Sequence, residues 1–122
     1  MQNIHLTTAE EKLAAIIWQN APFLSPALVA LAEQQLNWKK STTYTILKKL
    51  CDKGVFKNEN ANITILLTRE ELTAHQSRMY VKESFGGSLP KFIAAFFSGN
   101  KISAEQAEEL RQFIESYEEG AD

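Results

Sequence analysis

The chain of 122 residues has little of what enzymes and secreted proteins need: one cysteine, two histidines, three prolines and no long apolar run. Spanning a bilayer takes about 18 to 20 consecutive apolar residues, so no membrane insertion is expected. The lone thiol, Cys51, cannot close an intramolecular disulfide, and its place among apolar residues suits an inert structural thiol rather than a redox sensor. The opening MQNIHLTTAEEK lacks the basic start, apolar stretch and small-residue cleavage site of a signal peptide, which leads to the expectation of a cytoplasmic protein. No Gly-rich phosphate loop and no His-Glu pairing at helical spacing is present. No Cys or His cluster has zinc or copper spacing. The terminal acids Glu115, Glu118, Glu119 and Asp122 lack the spacing and turn glycine of a calcium loop. The expectation is a protein that is not an enzyme, with no catalytic residue, metal or cofactor. His5 is expected in a frayed terminus and His75 as a solvated side chain on a polar helix.

What the chain does have is an uneven charge. The formal net charge is only −2, yet residues 1–57 hold seven lysines against four acids, and residues 58–122 hold six basic residues against eleven acids. Between 38 and 57 six lysines face Asp52 alone, so the positive field is concentrated on one short stretch. That stretch, KKSTTYTILKKLCDKG from Lys39 to Gly54, has helical periodicity. At about 100° per residue, Thr43, Ile46, Leu47, Leu50 and Cys51 share one face, opposite Ser41, Thr45, Lys48 and Asp52. Ser41 is the expected cap and Gly54 the left-handed residue just past the end. An oily face with hydroxyls and lysines behind it is the composition of a DNA recognition helix. Thr42, Tyr44 and Thr45 are the candidates for base contacts, and Lys39, Lys40, Ser41, Lys48, Lys49 and Lys57 for phosphate contacts.

The surrounding sequence gives this helix a setting. Thr8 and Glu11 have capping-box spacing and open a helix over about 9–20. Pro22 breaks it, and Ser25 with Pro26 reads as the cap and first turn of a second helix ending near Leu36. After Gly54, Val55 and Phe56, an Asn-rich turn and the β-branched run Ile63 to Leu67 predict a hairpin. Thr68 and Glu71 form another capping box, for a helix that Gly86 and Gly87 end. Ser88 opens a helix with Leu89, Phe92, Ile93, Phe96 and Phe97 at spacings of three and four. Ser103 caps a last one, with Ala107, Leu110, Ile114 and Tyr117 as a short a/d seam.

The predicted fold is mainly α. An N-terminal winged helix-turn-helix, residues 1–68, has three helices plus a two-stranded wing, and residues 69–122 form a helical dimerisation domain. Three short helices are too little chain to close a core alone. Phe92, Ile93, Phe96, Phe97, Leu110, Ile114 and Tyr117 are therefore the expected homodimer interface, the alternative being that these faces pack back on the N-terminal domain.

Several segments together resemble the penicillinase-repressor family of bacterial transcriptional repressors: Thr8-Ala9-Glu10 through Ile17-Trp18, then Trp38, Thr42, Thr45, Leu47, Leu50, Lys53 and Gly54 in order, then Gly86-Gly87 and Glu108-Glu109-Leu110-Arg111. The resemblance implies a homodimer that binds double-stranded operator DNA at a promoter dyad and is released by an inducing signal. It also implies, for the proteolytic branch, cleavage by a membrane sensor protease; Ala95-Phe96 stands where that branch has Asn-Phe. No cysteine cluster of the copper-responsive branch follows Cys51. The wing lacks the lysines usual there, and Tyr44 replaces a base-reading glutamine or arginine. The competing expectation is a winged helix that binds a protein partner without DNA.

Overall fold

The computed structural model describes residues 3–120, and Asp122 of the terminal acidic group lies outside them. The described chain runs α1 (Thr8–Asn20), β1 (Phe23–Leu24), α2 (Ser25–Leu36), α3 (Lys40–Asp52), β2 (Phe56–Glu59), β3 (Asn62–Ile65), α4 (Arg69–Phe85), α5 (Leu89–Phe97) and α6 (Ala104–Tyr117). It is a winged helix followed by a helical C-terminal region.

The core follows from periodicity. Leu13, Ala14, Ile16 and Ile17 form one stripe of α1, and they meet Leu28 and Ala32 of α2, Leu47 and Leu50 of α3, and Val55, Phe56 and Ile63 of the sheet. Thr43 is buried with them, and its hydroxyl donates to the Lys39 carbonyl at 3.2 Å, which satisfies it locally. The predicted oily face of the third helix is thus the face that packs. Gly54 is in the left-handed region, φ 82°, as the turn out of α3 requires.

The hairpin pairs Phe56 with Ile65 and Glu59 with Asn62. Its tip holds Asn60 and Ala61, both at positive φ. A third strand, unforeseen in the sequence, joins it: β1 pairs antiparallel with β3, Phe23 opposite Ile63, giving the order β1-β3-β2.

Three caps differ from expectation. The box of α1 is made by Thr7 and Glu10, one residue earlier than the Thr8–Glu11 pair. The run Thr7-Thr8-Ala9-Glu10-Glu11 allows either register, and the one that buries Glu10 is adopted. Ser25 does not cap α2; Leu24, held extended by its pairing with β3, occupies that position. Ser41 does not cap α3 either, because the helix already begins at Lys40. The boxes and caps expected from Thr68–Glu71, Ser88 and Ser103 are present.

α4 leaves the winged helix but stays attached to it at its start. Leu72 is buried in the N-terminal core, and His75 is buried one turn on, not solvated as its polar helix suggested. Trp18 fixes the exit: its indole N–H donates to the Leu67 carbonyl at 2.9 Å, and the Arg69 guanidinium lies 4.9 Å from its ring centre. Beyond that point burial stops. Neither α5 nor α6 contains a buried residue.

Candidate nucleic-acid interface

α3 presents its polar face away from the core: Ser41, Thr42, Thr45, Lys48 and Lys49 are exposed, as are Lys39 and Lys40 at its start and Lys57 on β2. The Thr45 hydroxyl donates back to the Ser41 carbonyl at 2.9 Å, which leaves its oxygen free to accept. Among the described residues, helices α1, α4, α5 and α6 each have a side-chain cap, whereas the N-terminus of α3 has none and no acid in its first turn. Its uncapped first N–H groups lie beside two exposed lysines, an arrangement that favours anions.

The six lysines of this stretch divide by what they touch. Lys39, Lys40 and Lys49 take part in no ion pair among the described residues. Lys48 meets Asp52 at 3.1 Å and Lys57 meets Glu59 at 2.8 Å, both in solvent, where such pairs contribute little and exchange readily for a phosphate. Pairing with Glu59 raises the Lys57 pKa and lowers that of Glu59. Lys53 is different. Its ammonium donates to Glu10 Oε1 and to the His5 carbonyl, each at 2.7 Å, and Glu10 is fully buried. Sequence reasoning counted Lys53 in the positive field, yet it is an internal tie. The unusual buried glutamate at the matching end of α1 is visible only in three dimensions.

Tyr44 also sits elsewhere than a base-contacting residue would. Its ring packs against the core, its hydroxyl donates to Ser25 Oγ at 3.3 Å, and Lys40 lies 6.0 Å from its ring centre. Tyr44 and the buried Ser25 therefore join α3 to α2, and Thr42 and Thr45 are the candidates left on the open face.

In the C-terminal region, Phe92, Ile93, Phe96, Phe97 and Leu110 converge with Ile102 and Phe113 on an open apolar groove of about 380 Å³. Ile114 and Tyr117 stay exposed, at 59% and 82%. Phe113, 60% exposed, escaped the sequence reading because it lies beside the a/d seam rather than on it. Ala95 and Phe96 are exposed in the last turns of α5. Among the described residues no helix is long and apolar enough to cross a membrane.

These features define a winged helix-turn-helix protein with a helical C-terminal extension. A sequence profile described as that of the penicillinase repressor matches residues 6–116, and the chain belongs to the penicillinase repressor family. It is 19% identical over 116 residues to a penicillinase repressor of Bacillus licheniformis, covering 92% of this chain and 91% of that protein. It is 20% identical over 113 residues to the methicillin resistance regulatory protein MecI of Staphylococcus epidermidis, covering 89% of this chain and 92% of that one.

The Lys53–Glu10 tie has a measurable signature. Burial pushes the Glu10 carboxyl up, but the Lys53 ammonium and the Thr7 amide and hydroxyl outweigh it and hold the value below the ordinary glutamate range. A lowered folded-state pKa stabilises the protein above about pH 5, and that contribution is lost as pH falls through the lowered value. Lys53→Met leaves a buried carboxylate unpaired and is expected to cost about 3 kcal/mol at pH 7 in urea unfolding. In Glu10→Gln the deficit against the native protein should shrink as pH falls below about 5. A deficit that stays constant down to pH 3 would refute the assignment.

Proposed function

We propose that this protein is a transcriptional repressor that binds duplex operator DNA as a homodimer. The observation that carries the reading is the outward face of α3, where an uncapped helix start, three lysines free of ion pairs and two exposed threonines lie together. Lys39, Lys40, Lys49 and the first amides of α3 would hold phosphates, joined by Ser41, Lys48 and Lys57, while Thr42 and Thr45 face base edges. The names of both relatives, a repressor and a resistance regulator, support this class of function.

Replacing Lys39 and Lys49 with Ala should weaken binding to every duplex and flatten the log–log salt dependence by about 0.9 for each phosphate no longer neutralised. Thr42→Ala should cost about 1 to 3 kcal/mol on the preferred duplex and little on others. Unchanged DNA affinity in both would show that the assigned surface is wrong. Salt-insensitive association with a protein partner would favour the interaction module instead.

Dimerisation is supported by the open groove between α5 and α6 and by the exposed Phe96, Phe113, Ile114 and Tyr117. Burying one such side chain contributes about 1.5 to 3 kcal/mol, so Ile114→Glu should shift a sedimenting dimer to monomer. A native chain that sediments as a monomer at micromolar concentration would overturn this.

Release by proteolysis would act on α5, through the bond between Ala95 and Phe96. Cutting there severs the helix that carries Phe92 and Phe96 and removes the gain from two linked heads, about 10²- to 10⁴-fold in apparent affinity. Mass spectrometry of chain recovered from induced cells checks this, and an intact chain free of its operator would exclude it.

A further inference from the structure

We infer that residues 3–6 form a strut that locks the winged helix to α4, and that Asn3, Gln76 and Glu83 thereby set which spacing between half-sites the dimer accepts. The inference rests on the dimeric DNA-binding reading above and names positioning residues for it.

The strut is built from two sets of contacts. On one side, Lys53 at the end of α3 donates to the His5 carbonyl and to Glu10, both at 2.7 Å, and Ile4 and Leu6 pack on the N-terminal core. On the other side, the Gln76 side-chain amide donates to the Ile4 carbonyl at 3.0 Å, and Asn3 Nδ2 donates to the Glu83 carboxylate at 3.1 and 3.2 Å. Leu72, Gln76 and Glu83 fall four and seven residues apart, on one face of α4. The segment thus runs along that helix and bridges it directly to the terminus of α3.

Leverage gives these surface hydrogen bonds their effect. Apart from the strut, the contacts found between α4 and the winged helix among the described residues lie near its start, at Arg69, Leu72, His75 and the Trp18–Leu67 bond. The strut extends the attachment to Glu83, about 12 Å beyond His75 along the helix axis. The helix runs about 15 Å beyond His75, so about 15° of slack there moves its far end by about 4 Å, more than the 3.4 Å rise of one base pair. Since α4 leads to the proposed dimer helices, slack there changes the distance between recognition helices. It leaves each head's own contacts intact.

The test uses the full chain and the duplex it prefers from a random pool, presented as one half-site, as two at the preferred spacing, and as two with one base pair added or removed. The native protein should lose at least about 10-fold in affinity on the shifted duplexes, a fraction of the linkage gain. An Asn3→Ala/Gln76→Ala protein should bind the single half-site within about twofold of native and lose less than about threefold on shifting. Glu83→Gln, which keeps an oxygen for Asn3, should retain the native penalty. Glu83→Ala, a surface change that leaves Gln76 in place, should relax it and decides the matter if the double variant does not fold. A native-sized penalty in Glu83→Ala or the double variant overturns the strut, as does a native protein indifferent to spacing. A native protein that binds no duplex overturns the DNA-binding reading itself.

Discussion

A carboxylate with no access to water cannot be left to find its own partner, and Glu10 is in that position. Its Oε1 accepts from the Thr7 amide and from Lys53, while Oε2 is buried with no hydrogen-bond donor. Removing the charge from water costs several kcal/mol that only a close cation offsets. Lys53 therefore has to lie where α3 ends, α1 has to start at Thr8 rather than a residue later, and the segment before α1 has to pass close enough for the His5 carbonyl to share the ammonium. Three elements distant in sequence are placed by one ion pair. The candidate DNA-facing side of α3 inherits its position from it, since α3 is held at this end by Lys53 and at the other by Tyr44 against Ser25.

Features that depend on near neighbours were legible in the sequence. The packing face of α3 follows from 3.6-residue periodicity, and the caps of α4, α5 and α6 follow from side chains that reach amides three residues on. Features decided by distant partners were not. Two threonines before two glutamates permit two cap registers, and only Lys53, forty-three residues away, selects between them. β1 is two residues long, too short to show alternation, and exists because β3 offers its free edge. His75 looks solvated on a helix of low amphipathic character, but α4 lies against the core there. For the candidate interface, type and spacing picked out lysines and threonines that the structure places at the surface. What their spacing does not contain is that Tyr44 packs against the core and that Lys53, just past the end of α3, ties to the buried Glu10.

The two parts of the chain handle apolar surface in opposite ways. The winged helix closes a core around fully buried Leu13, Ile17, Leu28, Leu47, Leu50 and Ile63, so its shape is complete within one chain. The C-terminal helices instead string aromatic rings together, Tyr80, Phe85, Phe92, Phe96 and Phe97, with successive centres 5.5 to 6.5 Å apart and edge-to-face or tilted. Such rings attract one another by about 0.5 to 1.5 kcal/mol per pair beyond burial, enough to order a ladder but not to shield it from water. In the proposed homodimer a second copy of the same ladder covers that open side, a partner always present at equal concentration.

That division separates the two properties a dyad reader needs. In the proposed dimer, affinity for one half-site would depend on α3 and the closed core behind it, which need not change when the C-terminal helices part. Affinity for the pair would depend on how rigidly α4 relates one proposed head to the other, and rigidity at a helix base comes from contacts spread along the helix rather than from any one strong contact. A segment bonded to Gln76 and Glu83 supplies that spread with neutral and singly charged side chains at the surface. Each of those hydrogen bonds adds only about 0.5 to 1.5 kcal/mol to folding. Their contribution to geometry is larger than their contribution to stability, because angular error grows with distance along α4 whereas bond energy does not.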